Sequence, residues 1–336
     1  MTIYAPARWP YRYRSPQERR RHRIFVAVAT AVVIAVAVGG VTEILAPHGR
    51  GASAWGPGHP VVIELPARPT SYIGAYAPGM PASYAPMDSF STANGVRPNI
   101  APYYSTWGQP FMSTFAVKAA AHHAVTLVQM EPGEVSLAAI ANGRYDSYLR
   151  RFADAVGDFG QRTGRGVIIG FAQQPNGYWY QWGYRYIAAR IWVNAWRHVV
   201  TLFRRQGAED VTWLWTVTAI NTNIGDLRPN PWWPGHRYVT WVGIDGYYFR
   251  PSTRFGKLFG RTINDIHSLT RDPILVSETG ALDKAGKPVK IEDVFRGVRS
   301  YGLLGLVWRN KRSWRLDSRA AASAFAAAAK HWQLTG

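Results

Sequence analysis

The sequence predicts an α/β fold, a parallel (β/α)8 TIM barrel preceded by a single transmembrane helix. Eight strand-like runs recur between Tyr72 and Val307, segments with helical spacing follow most of them, and a charge-free stretch stands near the amino terminus. A doubly wound open sheet is the alternative for the repeating part.

From Ile24 to Thr42 no residue is charged. At about 1.5 Å per residue such a helix spans roughly 28 Å, close to the hydrocarbon core of a bilayer. A transmembrane helix is therefore expected over residues 24–45. Arg8, Arg12, Arg14, Arg19, Arg20, Arg21 and Arg23 precede it against the single acid Glu18. The basic tail of residues 1–23 is thus expected in the cytoplasm and the rest outside, as in a single-pass protein of the cell membrane. The alternative is secretion after cleavage near Ala54, since Ala52-Ser53-Ala54 has the small-x-small form of a cleavage site. Residues 46–70, rich in Gly, Pro, Ala and Ser, read as a linker, which leaves residues 71–336 for the barrel.

The strand-like runs are Tyr72 to Ala75, Asn99 to Tyr103, Val125 to Gln129, Val167 to Phe171, Val211 to Trp215, Val239 to Ile244, Ile274 to Val276 and Leu303 to Val307. A first helix falls somewhere in Ala82 to Ala93. Tyr148, Phe152, Ala155, Val156 and Phe159 give helical spacing after the third run. Ile187, Ile191, Val199 and Phe203 do so after the fourth, closed by Gly207. Ile291, Val294 and Val298 repeat the pattern, and Ala320 to Trp332 supplies the last helix.

With 336 residues, 47% of them hydrophobic, the chain can bury a full core. Aromatics make up 14%, with 15 Trp and 18 Tyr, which favours contact with sugars or other flat ligands over nucleic acid. Of the formal charge of +19, the tail carries +6 and the remainder +13, spread without a Lys/Arg block. That distribution reads as a solvated surface suited to an anionic envelope, and no nucleic-acid partner is expected. No cysteine is present, which excludes disulfides and thiolate chemistry.

In a barrel of this kind chemistry sits at the carboxyl ends of the strands. Those ends carry Glu131, then Gln173 and Gln174, Thr216 and Thr218, Asp245 and Tyr247, Glu278, and Trp308. The stretch GVIIGFAQQPNGYWYQWG, Gly166 to Gly183, runs from a buried strand through amides into Tyr178, Trp179, Tyr180 and Trp182. Amides beside aromatic rings can hydrogen-bond and stack a sugar.

In this order and spacing the residues resemble glycoside hydrolase family 26, the β-mannanase-like branch of the retaining barrel glycosidases, over roughly residues 70 to 315. The resemblance rests on the turn and cluster Asn176, Gly177, Trp179, Tyr180 and Trp182, on WVGIDGYY around Tyr247, on DPILVSETGA with Glu278, and on MEPGEVSLAAIANGRYDSYL with Glu131. It implies Glu278 as the nucleophile and Tyr247 as its hydrogen-bond donor. It further implies a substrate site containing Asn176, Trp179, Trp182 and Glu131, and Trp308 as a sugar platform. The implied partner is a β-linked, mannan-like polysaccharide. Gln173 and Gln174 stand where the family has a histidine and its acid/base glutamate.

Retaining hydrolysis needs one carboxyl to attack and a second to protonate the leaving oxygen. The amide of Gln174 has no proton to give. Losing general-acid help costs about 10² to 10⁴ in rate, or about 3 to 5.5 kcal/mol of barrier. The resulting expectation is a carbohydrate-binding pseudo-hydrolase. The alternatives are a retaining glycosidase or transglycosidase that uses Glu278 on substrates with good leaving groups, and a structural envelope protein with an idle cleft. Asp245 reads as an anchor for backbone near the sixth strand, and His122 and His123, ahead of the third strand, fall at the opposite end of the barrel. No His or Asp pair has ligand spacing, so neither a catalytic metal nor another cofactor is expected.

Overall fold

The computed structural model of this chain describes residue 65 and residues 72–219 and 227–334. The expected transmembrane helix at 24–45, the tail before it and nearly all of the linker lie outside the described residues. Among the described residues no helix is long and apolar enough to cross a membrane.

Eight parallel strands close into a barrel in chain order: β1 (Tyr72–Tyr76), β2 (Ile100–Thr106), β3 (Val125–Glu131), β4 (Val167–Phe171), β5 (Val211–Thr218), β6 (Trp241–Tyr248), β7 (Ile274–Ala281) and β8 (Gly305–Arg309). β8 returns to β1 with Tyr72 opposite Gly305 and Tyr76 opposite Arg309. Several strands outrun the apolar patterns that announce them, β3 reaching Glu131, β5 Thr218 and β7 Ala281. Beyond those patterns they carry polar residues such as Glu131, Thr216 and Glu278, so hydropathy stops short of where the ladder stops.

The outer layer contains α1 (Ala85–Asn94), α2 (Ser113–Ala121), α3 (Leu137–Ala141), α4 (Asp146–Thr163), α5 (Ala189–Arg205), α6 (Arg261–His267), α7 (Lys287–Ser300) and α8 (Arg319–Leu334). α4 buries Leu149, Phe152, Val156 and Phe159 on one face and stops at Gly164, whose φ of 61° suits a glycine. α5 buries Trp192, Trp196, Val199 and Phe203 and ends at Arg205, just ahead of Gly207. Ser318 caps α8 by accepting from the Ala321 amide at 3.1 Å.

The alternation of strand and helix is not regular. Between β5 and β6 the described residues hold two 3₁₀ turns, Asn230–Trp232 and His236–Tyr238, and no α-helix. Pro229, Pro231 and Pro234 deprive this segment of donors and disfavour a helix. Its rings cover the strand instead, with Trp233 packing on Trp215 at 4.9 Å.

Inside the barrel the side chains form layers. The floor is apolar, one residue per strand, from Tyr72 through Leu127 and Leu214 to Val307. Above it the filling turns polar, with Gln129 Nε2 donating to Thr216 Oγ1 at 3.1 Å. Gly170 makes room for that amide, since a Cβ there would lie 2.0 Å from Gln129 Oε1. The top layer is the mouth.

One irregularity decides what the mouth contains. Gly243 pairs with Leu275 and Asp245 with Glu278, while on the other side Val276 pairs with Leu306 and Thr279 with Trp308. Both neighbours advance two residues where β7 advances three, so β7 carries a bulge of one extra residue. Strict alternation from Leu275, which packs in the floor, would send Glu278 outward to the helices. The bulge reverses the parity and turns its carboxylate into the mouth.

Candidate active site

Glu278 is buried, and three donors from three strands hold its carboxylate. Tyr247 of β6 donates to Oε1, Tyr104 of β2 donates to Oε2, and Arg309 of β8 forms an ion pair with Oε2. The side chains of this pair are 13% and 7% exposed, so water screens it little. Burial raises the Glu278 pKa, and Arg309 opposes that shift through its charge and its hydrogen bond. Arg309 and Tyr104 are absent from the residues read off the sequence. Val307 packs in the floor, so two-residue alternation points Arg309 into the mouth and Trp308 away from it. By the same count Ile100, Pro102 and Tyr104 share a face.

At the end of β4 the backbone is unusual. Ala172 has φ 47° and Gln174 φ 55°, two non-glycine residues in the left-handed region within three positions. The Ala172 amide donates to the Met130 carbonyl at 3.0 Å and the Gln174 amide to the Thr216 carbonyl at 2.8 Å, so both neighbouring strands hold the contorted segment. As a result adjacent side chains both serve the mouth. Gln173 Nε2 donates to Glu131 Oε1 at 2.7 Å on the β3 side, and Gln174 Nε2 donates to Asp245 Oδ2 on the β6 side. The indole of Trp179 donates to Gln174 Oε1 at 2.9 Å. An indole N–H can only donate, so it fixes which end of the Gln174 amide faces Asp245.

Asp245 holds side chains, and the expectation that it anchors backbone is corrected. It accepts from Gln174 and, at 2.6 Å, from Ser277 Oγ. Burial outweighs both bonds and pushes its carboxyl up to about 7. Because Asp245 is the register partner of Glu278, it stands between Gln174 and Glu278 at the shared end of the barrel. Glu131 is also raised, by burial first, against the hydrogen bond from Gln173 and the charge of Arg309.

Three expected sugar contacts have other duties. Trp308 is fully buried, meets Phe325 of α8 edge-on at 6.0 Å and donates from Nε1 to the Trp314 carbonyl at 2.9 Å, so it offers no platform in the mouth. Asn176 is also buried and spends its amide on β5, donating to the Thr218 carbonyl and accepting from the Thr218 amide, both at 2.9 Å. Trp182 donates to the Gln173 carbonyl at 2.8 Å and stacks beneath Tyr180 at 4.3 Å, which leaves Tyr178, Trp179 and Tyr180 as half-buried rings of that loop. His122 lies 3.5 Å from Asp88 and packs on Tyr84, on the outside. Among the described residues no group of three His, Cys, Asp or Glu could hold a metal ion.

The family model described as glycosyl hydrolase family 26 matches residues 116–271, which takes in Gln173, Gln174, Asp245 and Tyr247 and stops short of Glu278. A curated relative is endoglucanase H of Acetivibrio thermocellus, 26% identical over 266 residues. That match takes in 73% of this chain but 29% of the relative, so the chain spans under a third of that protein's length. Among solved structures, a Bacillus subtilis mannanase has a TM-score of 0.60 at 15% identity, over 77% of this chain and 85% of its own. A family 26 β-mannanase from Bacteroides ovatus gives 0.56 at 14%, over 78% and 89%. An endo-β-1,4-mannanase double mutant from Cellulomonas fimi gives 0.61 at 14%, over 77% and 70%. Residues 116–271 of this chain thus match the glycosyl hydrolase family 26 model, and its fold is the (β/α)8 barrel of those solved structures.

Proposed function

We propose that this chain is a membrane-anchored, extracellular glycan-binding protein, a pseudo-hydrolase whose mouth holds a β-linked polysaccharide without cleaving it. The observation that supports this reading is the Gln174 amide, fixed between Trp179 and Asp245, at the position that the family resemblance gives to the proton donor of retaining hydrolysis. An amide in that place orients its neighbours and protonates nothing. Glu278, gripped by Tyr104, Tyr247 and Arg309, acts as a fixed acceptor within a binding surface. Buried Gln173 Oε1 has no hydrogen-bond partner among the described residues and offers an acceptor to a sugar hydroxyl. The mannanase and endoglucanase names of the relatives make mannan the first candidate and glucan the second.

A second reading is favoured by the same carboxylate. Glu278 is kept near Arg309 and Tyr247 as a nucleophile would be, so a substrate whose leaving group departs unaided could be cleaved through a glycosyl ester on Glu278.

Both are tested with the full chain and Gln174→Glu, on mannan and on an activated aryl β-mannoside, with and without azide. The parent should bind mannohexaose by calorimetry and leave mannan intact. Gln174→Glu should cleave mannan faster by about a hundredfold or more. Its new carboxyl would face Asp245, and like charge keeps one proton on such a pair near neutral pH. A parent that cuts mannan as fast as the variant would overturn the pseudo-hydrolase reading, and a covalent adduct at Glu278 from the activated substrate would establish the second.

A further inference from the structure

Cations stand over aromatic rings at two opposite edges of the mouth. On the loop after β4 the Arg185 guanidinium lies 4.8 Å from the Tyr178 ring centroid. Across the barrel, where β8 meets β1, Lys311 Nζ and the Arg309 guanidinium each lie 5.7 Å from the Tyr76 ring, and Arg309 lies 5.8 Å from Tyr104. Tyr76 and Tyr104 meet edge to face at 5.4 Å, so this rim runs on to the Glu278 carboxylate.

The charges on the rim are unequally matched. Arg309 is committed to Glu278. Among the described residues neither Lys311 nor Arg185 has a carboxylate within ion-pair distance. Burial and the like charges of Arg309 and Arg312 push the Lys311 pKa down, against the pull of Glu278 and Glu131. A partly buried ammonium beside two guanidiniums is stabilised by any anion that reaches it. The acids of the mouth do little to repel one, since Arg309 balances Glu278 while burial favours the neutral form of Glu131.

A neutral glycan brings only hydroxyls to these cations. A uronic acid brings a carboxylate attached to the ring itself, so one residue can lay its face on a tyrosine and its charge beside the cation above that tyrosine. We propose that the ligand of this mouth is an acidic polysaccharide, a β-linked chain containing uronic acids, read at the β8 edge by Lys311 over Tyr76 and at the β4 edge by Arg185 over Tyr178. This rests on the reading of the mouth as a glycan-binding site and specifies its ligand class.

The probe pair is β-1,4-linked mannohexaose and the β-1,4-linked mannuronate hexamer, which share ring and linkage and differ at C6. In calorimetric titrations of the full chain in detergent the mannuronate should bind about ten times tighter at low salt, and the gap should close at high salt as the rim charges are screened. Lys311→Ala should weaken mannuronate about tenfold and at least several-fold more than it weakens mannohexaose. Arg185→Ala, at the far edge and exposed, should act in the same direction, and thermal melts of both variants check that the fold is kept. Equal affinity for the two hexamers, binding of mannohexaose alone, no selective loss in either variant, or equally tight binding of polyglutamate would each overturn the inference. With mannohexaose still bound, those results would leave the glycan-binding reading standing. Failure of both hexamers to bind would remove that reading too.

Discussion

Strands β4 and β7 deliver their last side chains to the same mouth by different backbone devices and with opposite charge. β4 ends in two left-handed residues that aim a pair of neutral amides at Glu131 and Asp245. β7 uses a bulge to turn one carboxylate inward, where two tyrosines and an arginine close on it. The contrast shows that the backbone which presents a side chain and the chemistry of that side chain are separable. The β4 end uses an elaborate backbone to present residue 174, and the residue presented is an amide with no proton to exchange.

The largest expected effect breaks the β7 side. Arg309→Met leaves Glu278 buried without its cation, and removing one partner of a buried ion pair costs about 3–5 kcal/mol. Urea unfolding at pH 8 should show that loss. Most of it should return in the double variant Glu278→Gln/Arg309→Met, and a double variant no more stable than the single would show that the pair is not what holds this end together.

Asp245 joins the two ends and gives the next effect. Its folded-state value of about 7 lies above the ordinary 3.8, so its contribution to stability is complete below the lower value and is lost as pH rises through the higher one. Unfolding free energy should fall by about 4 kcal/mol from this group alone between pH 4 and pH 8, with raised Glu278 and Glu131 acting in the same sense. Asp245→Asn should flatten the profile, and an unchanged slope would assign the titration elsewhere.

The smallest effect tests the β4 side. Asn176→Ala removes both bonds to Thr218 and should cost about 2 kcal/mol of stability, with a matching loss of order in the Trp179 loop seen by tryptophan fluorescence. A loss of glycan affinity with stability unchanged would instead restore Asn176 as a ligand contact.

The barrel was legible in the sequence because buried parallel strands are short apolar runs that recur between helices. The mouth was legible only in part, for the same reason. The strand-like runs stop at Tyr103, Gln129 and Val307, so Tyr104 and Arg309, one or two residues later, fell outside them, while Glu131 was found as the acid that follows the third run. Alternation along β8 contained the missing signal, since an inward Val307 predicts an inward Arg309 and an outward Trp308. The inward turn of Glu278 could not be counted in this way, because the extra residue in β7 is visible only in its pairing with β6 and β8. Asn176 and Trp182 bond backbone, a use that sequence spacing does not distinguish from contact with a sugar, because an amide and an indole serve either.

The single surplus residue in β7 makes the inward position of Glu278 indifferent to the loss of one codon. Deleting Val276 would leave Glu278 two residues after Leu275, where regular alternation already turns it inward and opposite Asp245. Two barrels of this kind can therefore present the same carboxylate from strands of different residue count, and aligning them by count alone would miss the match.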